Sequence, residues 1–444
     1  MNKLLSIIAV CVAAILSTIQ FPGNPGSVNA EEIIRKGEVL SLEQCIGLAL
    51  AKQPAIIAAY YTVEVNRSRV GEALSNYYPQ ILASGGYTRT RSQVTGLVGA
   101  TSSIVNVPET YNEYTSSFSL SQNIYDFGKT AAQVRIQKFN LDSTSSDLEA
   151  SKNQIVLNVR QAYYGVLQAA RNREVAEESV GQYRQHLEQA RGFFDVGTKP
   201  RYDVITAEVN LSNAELNLIT ADNALKIARV NLNNAMGVPD APAYEIEDEL
   251  AFKKYDITLE DALSRAMSQR PDIQSLIMRR KSAEENIQLA ETGYYPSLIG
   301  SAGYNWQNSG FPLVSGSGWN VGTALSLPIF SGFLTKHQVE EAEANLSVAR
   351  ANEEVLRQSI VLEVQQSYLN LKQYKDSIAT ADLAVNQATE NLDIVNGRYA
   401  AGVGNPIEVT DAQVTYSNAK FAYIQALTNY NVAYAALLKA MGGR

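Results

Sequence analysis

Two spacings of apolar residues divide this chain. From Trp319 to Leu327, Trp319, Val321, Thr323, Leu325 and Leu327 alternate with Asn320, Gly322, Ala324 and Ser326. Tyr114, Phe118 and Leu120 are set in the same way against Thr115, Ser117, Ser119 and Ser121. Ile81, Ala83, Gly85 and Tyr87 repeat the pattern, as do Leu298, Ala302, Tyr304 and Trp306. A period of two, with one apolar and one small or polar face, predicts β-strands. The Ser-, Gly-, Asn- and Thr-rich stretches between, Thr90 to Glu113 and Gln307 to Gly318, read as loops.

Elsewhere the period is helical, as in Ile155, Val159, Ala162 and Val166, echoed by Ile360, Val364 and Leu371. No proline lies between Glu109 and Lys199, or between Ile329 and Asn405, and both stretches are rich in good helix formers. A helix from about Thr130 to Val196 would be roughly 100 Å long at 1.5 Å per residue. That length predicts a coiled-coil-like rod or tube. Gly197-Thr198-Lys199-Pro200 and Gly402-Val403-Gly404-Asn405-Pro406 punctuate tight turns. Returning helices follow, from about Arg201 to Met236 and Ile407 to Met441, each ending at a glycine. Shorter helices open at Ser41-Leu42-Glu43 and Thr258-Leu259-Glu260, with breaks at Pro54 and Pro271.

The chain is written twice. Shifted by 217 residues, Leu42 to Tyr87 matches Leu259 to Tyr304, and Tyr77-Tyr78-Pro79 meets Tyr294-Tyr295-Pro296. Shifted by 205, Ile155-Val156-Leu157 meets Ile360-Val361-Leu362, and Ala235-Met236-Gly237 meets Ala440-Met441-Gly442. The difference between the shifts gives the first half about twelve more residues between Tyr87 and Leu120. The expected division is a first repeat over 31–237, a linker over 238–256 and a second repeat over 257–444.

Residues 1–30 read as a secretory signal: Lys3, an apolar run from Leu4 to about Phe21, breakers from Pro22 to Gly26, and Val28-Asn29-Ala30 resembling a small-residue cleavage site, with a retained anchor helix as the alternative. Cys11 would leave with it, and Cys45 would remain alone. A net charge of −8 argues against a nucleic-acid partner. His186 and His337 fall on predicted helix surfaces, and no phosphate loop or metal-ligand cluster appears. The expectation is therefore no enzyme, no cofactor and no resident metal. After Ala30 no window supplies eighteen consecutive apolar residues, so any membrane crossing requires a closed β-barrel.

Two hairpins give four strands, too few to close, so other copies must pair the edges. Three copies would supply twelve strands and twelve tube helices, although the sequence does not choose three over two or four. A poreless coiled-coil protein of the envelope and a soluble periplasmic protein remain alternatives. Tyr77, Tyr78, Tyr294, Tyr295, Trp306 and Trp319 fit an interfacial belt.

The duplicated order, the Tyr-Tyr-Pro before each first strand, the glycine turn followed six residues later by an acid, and the closing Ser-Asn-Ala resemble the TolC-type outer-membrane efflux proteins. The resemblance runs from about Leu40 to Gly442. It implies a homotrimer in outer-membrane lipid, with a twelve-stranded barrel continuing into an α-helical tunnel across the periplasm. It also implies a passive duct, joined to an inner-membrane pump through a periplasmic adaptor protein. Glu408 and Asp411, three apart on one helix face, match an acidic pair lining the narrow entrance. Asn405-Pro406-Ile407-Glu408 also reads as a helix cap with a capping-box acid. Asp203 and Tyr399 match residues that link neighbouring coils, with Lys199 beside them, and Gly197, Thr198, Gly402 and Gly404 mark the docking tips. Gly404 stands where the family's best-studied pattern has Arg, which implies a different closing network.

Overall fold

The computed structural model of the chain describes residues 34–98, 103–310 and 313–443. The expected signal segment lies outside the described residues. The elements run β1 (Val39–Leu40), α1 (Leu42–Lys52), α2 (Pro54–Ser75), β2 (Gln80–Val98), β3 (Ser103–Tyr125), α3 (Lys129–Asp195) and α4 (Arg201–Met236). Then come β4 (Glu245–Ile246), α5 (Leu259–Gln269), α6 (Pro271–Glu291), β5 (Ser297–Gly310), β6 (Leu313–Ser326), α7 (Leu334–Ala400) and α8 (Pro406–Ala440). Both long helices have 67 residues.

The four long strands form one antiparallel sheet in the order β2-β3-β5-β6, so β2 and β6 are its edges. Register puts Ile81 opposite Leu120, Phe118 opposite Tyr304 and Tyr304 opposite Trp319. These apolar side chains share one face, and Ile81, Trp319, Val321 and Leu325 stand exposed on it. The other face carries Ser84, Ser117, Ser119, Ser301, Asn305 and Asn320. Ser84 and Ser117 hydrogen-bond across it at 2.7 Å. The loop expectation at Thr90–Glu113 is corrected by these strands. Pairing of β2 and β3 continues to Val98 and Ser103, and β5 and β6 likewise reach Gly310 and Leu313. Backbone pairing needs no apolar face, so Thr90, Arg91, Asn112 and Glu113 extend the ladder where side-chain alternation has ended.

Each strand passes into its long helix through two consecutive left-handed residues, Phe127-Gly128 and Gly332-Phe333. A left-handed Phe is strained. Phe127 is held by Tyr125 at 4.6 Å and by stacking on Tyr295 at 5.6 Å between ring centres.

The helices carry two cores at mid-height. Cys45, Ala49, Val159, Tyr163, Leu232 and Met236 form one, and Ala262, Ile360, Val364, Leu437 and Ala440 the other. Corresponding devices close them. Gln53 donates to the Asn234 and Ala235 carbonyls at the end of α4, and Arg270 to the Ala440 carbonyl at the end of α8. Gly237 and Gly442 lie against these two residues, where a Cβ would meet backbone at 2.9 Å. The segment after Gly237 is more than a tether. Its β4 pairs parallel with β1, and the Glu247 carbonyl accepts from the Tyr163 hydroxyl at 2.6 Å. Among the described residues no single helix is long and apolar enough to cross a membrane.

Candidate functional site

Far from the sheet, α3–α4 and α7–α8 are two hairpins with separate apolar cores. Leu187, Ala190 and Ala207 fill one, while Leu392, Val395, Tyr399, Val409 and Ala412 fill the other. Where α3 meets α8, the seam between them is polar. Ser179 meets Ser417 at 2.9 Å, Gln168 donates to Gln425 at 2.5 Å, and Glu178 accepts from Tyr416 and Lys420 at 2.8 and 2.6 Å.

Both hairpins turn through a left-handed glycine, Gly197 at φ 74° and Gly402 at φ 77°. In the first turn, the Gly197 and Thr198 amides donate to Phe194 and Phe193, and the Thr198 hydroxyl also reaches the Phe193 carbonyl at 2.8 Å. In the second, the Val403 and Gly404 amides both donate to the Arg398 carbonyl. Gly404 is buried, and a Cβ there would lie 2.7 Å from the Tyr399 nitrogen. That contact explains why no Arg stands at Gly404: the turn folds back on its own helix.

A cleft of about 580 Å³ opens where the two ends meet. Lys199, Asp203, Gly404, Glu408 and Asp411 all line it, with His186. Lys199 donates to the Gly404 carbonyl at 3.4 Å, tying one turn to the other. Asp203 is buried in the first turn of α4, whereas Glu408 and Asp411 are exposed. Asn405 caps α8 by accepting from the Ile407 amide at 3.0 Å. Glu408 pairs with Arg398 at 3.2 Å, across its own hairpin. Such an exposed pair contributes little stability, which leaves the carboxylate available for other partners.

Tyr399 is buried next to this cleft, between His186 and Phe193 of α3. Burial, with the Asp203 charge adding to it, raises the Tyr399 phenol above its ordinary pKa. The surface placement expected for His186 is corrected here: its ring is 4% exposed, on the same stripe as Leu187, Ala190 and Phe193. Its position seven residues before Phe193 was the available signal. His337 is exposed and contacts Glu340 at 2.8 Å.

The two outer helices of this layer, α4 and α7, present unpartnered apolar stripes. Along α4 they fall at Tyr202, Val209, Leu216 and Val230, with Ile205 and Ile219 between. Along α7 they fall at Val348, Val355, Leu362, Leu369 and Leu383. Both keep a seven-residue register, interrupted once each by Asn223 and Asp376, the register of a coiled-coil seam.

A family model described as outer membrane efflux protein matches residues 45–238 and 262–443. The chain belongs to the outer membrane efflux protein family. Its relatives include outer membrane protein TolC of Escherichia coli strain K12, 28% identical over 360 residues, 74% of this chain and 70% of that one. Protein CyaE of Bordetella pertussis is 25% identical over 409 residues, 91% of this chain and 84% of the relative. The Campylobacter jejuni CmeC outer membrane channel has the same fold, with a TM-score of 0.78, 20% identity, and coverage of 96% of this chain and 94% of that one. This efflux protein is thus an outer-membrane exit duct with a barrel sheet and a helical body reaching into the periplasm. Its family is one of channels and not of enzymes.

Proposed function

We propose that three copies of the chain close into one duct that conducts substrates passively from an inner-membrane pump. The observation that carries this reading is the pair of open flanks. The sheet ends in two unpaired edges, β2 and β6, and the helical layer ends in two apolar seven-residue stripes. An unpaired edge in lipid leaves each backbone group short by several kcal/mol, and a cyclic assembly removes both edges at once. Two copies would make an eight-stranded barrel, whose interior side chains fill. Three make twelve strands, with the Ser- and Asn-bearing face around an open lumen. A poreless rod has no use for a sheet that is apolar on one face and polar on the other.

The hairpin ends then form the periplasmic entrance. Glu408 and Asp411 place six carboxylates around it in a trimer, a field that draws cations. Gly197, Thr198, Gly402 and Gly404 are the tips on which a periplasmic adaptor docks, completing a tripartite efflux or type I secretion assembly. The test is single-channel recording from the double variant E408A/D411A. Cation preference and block by divalent cations should both weaken. Unchanged selectivity and block would remove these residues from the conducting path.

A further inference from the structure

The ends of the two hairpins are joined by an aromatic plug. Tyr399 of α7 is 1% exposed and sits between His186, at 4.8 Å between ring centres, and Phe193, at 5.5 Å. The Tyr399 hydroxyl and His186 Nδ1 are both buried without a hydrogen-bond partner. Ring packing therefore holds these two groups against each other. The charged groups around His186 come from each neighbouring element. Asp203 of α4 is buried, with no side-chain hydrogen bond among the described residues, and Lys199 in the turn donates to the Gly404 carbonyl. Tyr399 faces it from α7, and Glu408 and Asp411 of α8 line the same cleft.

Charging the imidazole changes this balance. Burial pulls the His186 pKa below 6.5 more strongly than Asp203 lifts it. A proton therefore binds more tightly to the ring in water than to the ring in its pocket, so acid favours the state in which the ring has left.

We propose that His186 is a proton-operated positioning residue of the entrance: neutral, it seats Tyr399 and keeps the two hairpin ends together; protonated, it leaves its pocket and lets them part. This rests on the hairpin ends being the entrance. A fully seated ring that never titrates sets the ceiling. Between pH 7.5 and 5.5 the equilibrium then moves toward the parted form by at most about tenfold per chain, from an exposed imidazole pKa of about 6.5.

The experiment is planar-bilayer recording of the full-length protein with the periplasmic side stepped through pH 7.5, 6.5 and 5.5. Open probability rises about two- to tenfold in the wild type and stays flat in H186F, which keeps a stacking ring but cannot titrate. An equal rise in H186F overturns the proposal. Loss of conductance at every pH refutes the duct itself, a different failure. Spin labels on N210C/T410C then decide the proposal independently, in a chain with His186 intact. These side chains lie 3.3 Å apart across the same cleft, and Cys45 is fully buried and unavailable to label. Dipolar broadening that weakens between pH 7.5 and 5.5 supports the switch, and constant broadening overturns it.

Discussion

Replacing Leu216 with Glu takes the assembly apart if α4 is a subunit interface. Leu216 is 65% exposed in the single chain, at the centre of the α4 stripe. Full burial of a leucine contributes about 1.5–3 kcal/mol, so covering two-thirds of it contributes about 1–2 kcal/mol. Cyclic closure repeats the loss at three seams, about 3–6 kcal/mol in all. A carboxylate forced against an apolar α7 stripe adds several kcal/mol more. The packing part alone, at its upper end of about 6 kcal/mol, lowers the assembly constant by about 10⁴. Glu is as good a helix former as Leu, so the helix itself survives, which circular dichroism verifies. L216A isolates the packing part, with a smaller loss. The assay is the mass of the detergent-extracted protein by light scattering, together with its heat resistance on gels. L216E running as a heat-resistant oligomer equal to the wild type would refute the interface.

Two further predictions concern the fold. Arg270, with a side chain 6% exposed, pairs with Asp272 and Glu363, both at 2.6 Å. R270Q keeps an amide for the Ala440 carbonyl but leaves Asp272 unpaired and Glu363 with Lys439 alone, at a cost of about 1–3 kcal/mol, limited because both carboxylates are about one-third exposed. Burial alone would raise both carboxyls, but the hydrogen bonds and charge of Arg270 hold Asp272, and those of Lys439 and Arg270 together hold Glu363, below their ordinary values. Their contribution is complete above the unfolded pKa values of 3.8 and 4.5 and is lost as pH falls through the lower folded values. R270Q should therefore lower the melting temperature at pH 7 and flatten the acid limb; equal melting and an equal acid limb would contradict the pairing. G404A drives a Cβ against the Tyr399 backbone and should loosen the second turn, seen as faster hydrogen exchange at residues 398–404; unchanged exchange would count against the clash.

Much of this fold was legible because long helices obey local rules. The expected helix from about Thr130 to Val196 is α3 at Lys129–Asp195, since nothing between Glu109 and Lys199 breaks it. The strand faces were legible for the same reason: Trp319, Val321 and Leu325 alternate with Asn320, Gly322 and Ala324. The outer parts of β2 and β3 were not, because Thr90 and Arg91 are polar regardless of face. Chain order placed Lys199, Asp203, Glu408 and Asp411 near the turns, but it could not bring them to a single cleft, which depends on how two separate hairpins pack. His186 was misplaced because its charge chemistry suggested solvent while its neighbours Leu187 and Ala190 pointed inward. The α7 flank was hidden by overlap: the stripe through Val348, Val355 and Leu362 runs beside the core positions Ile360 and Val364.

The claim that these open flanks close into a conducting ring is tested most directly by current. The purified protein, incorporated into a planar lipid bilayer, should give discrete, cation-preferring channels of uniform size. A preparation that enters the bilayer and carries no current at any voltage would contradict it.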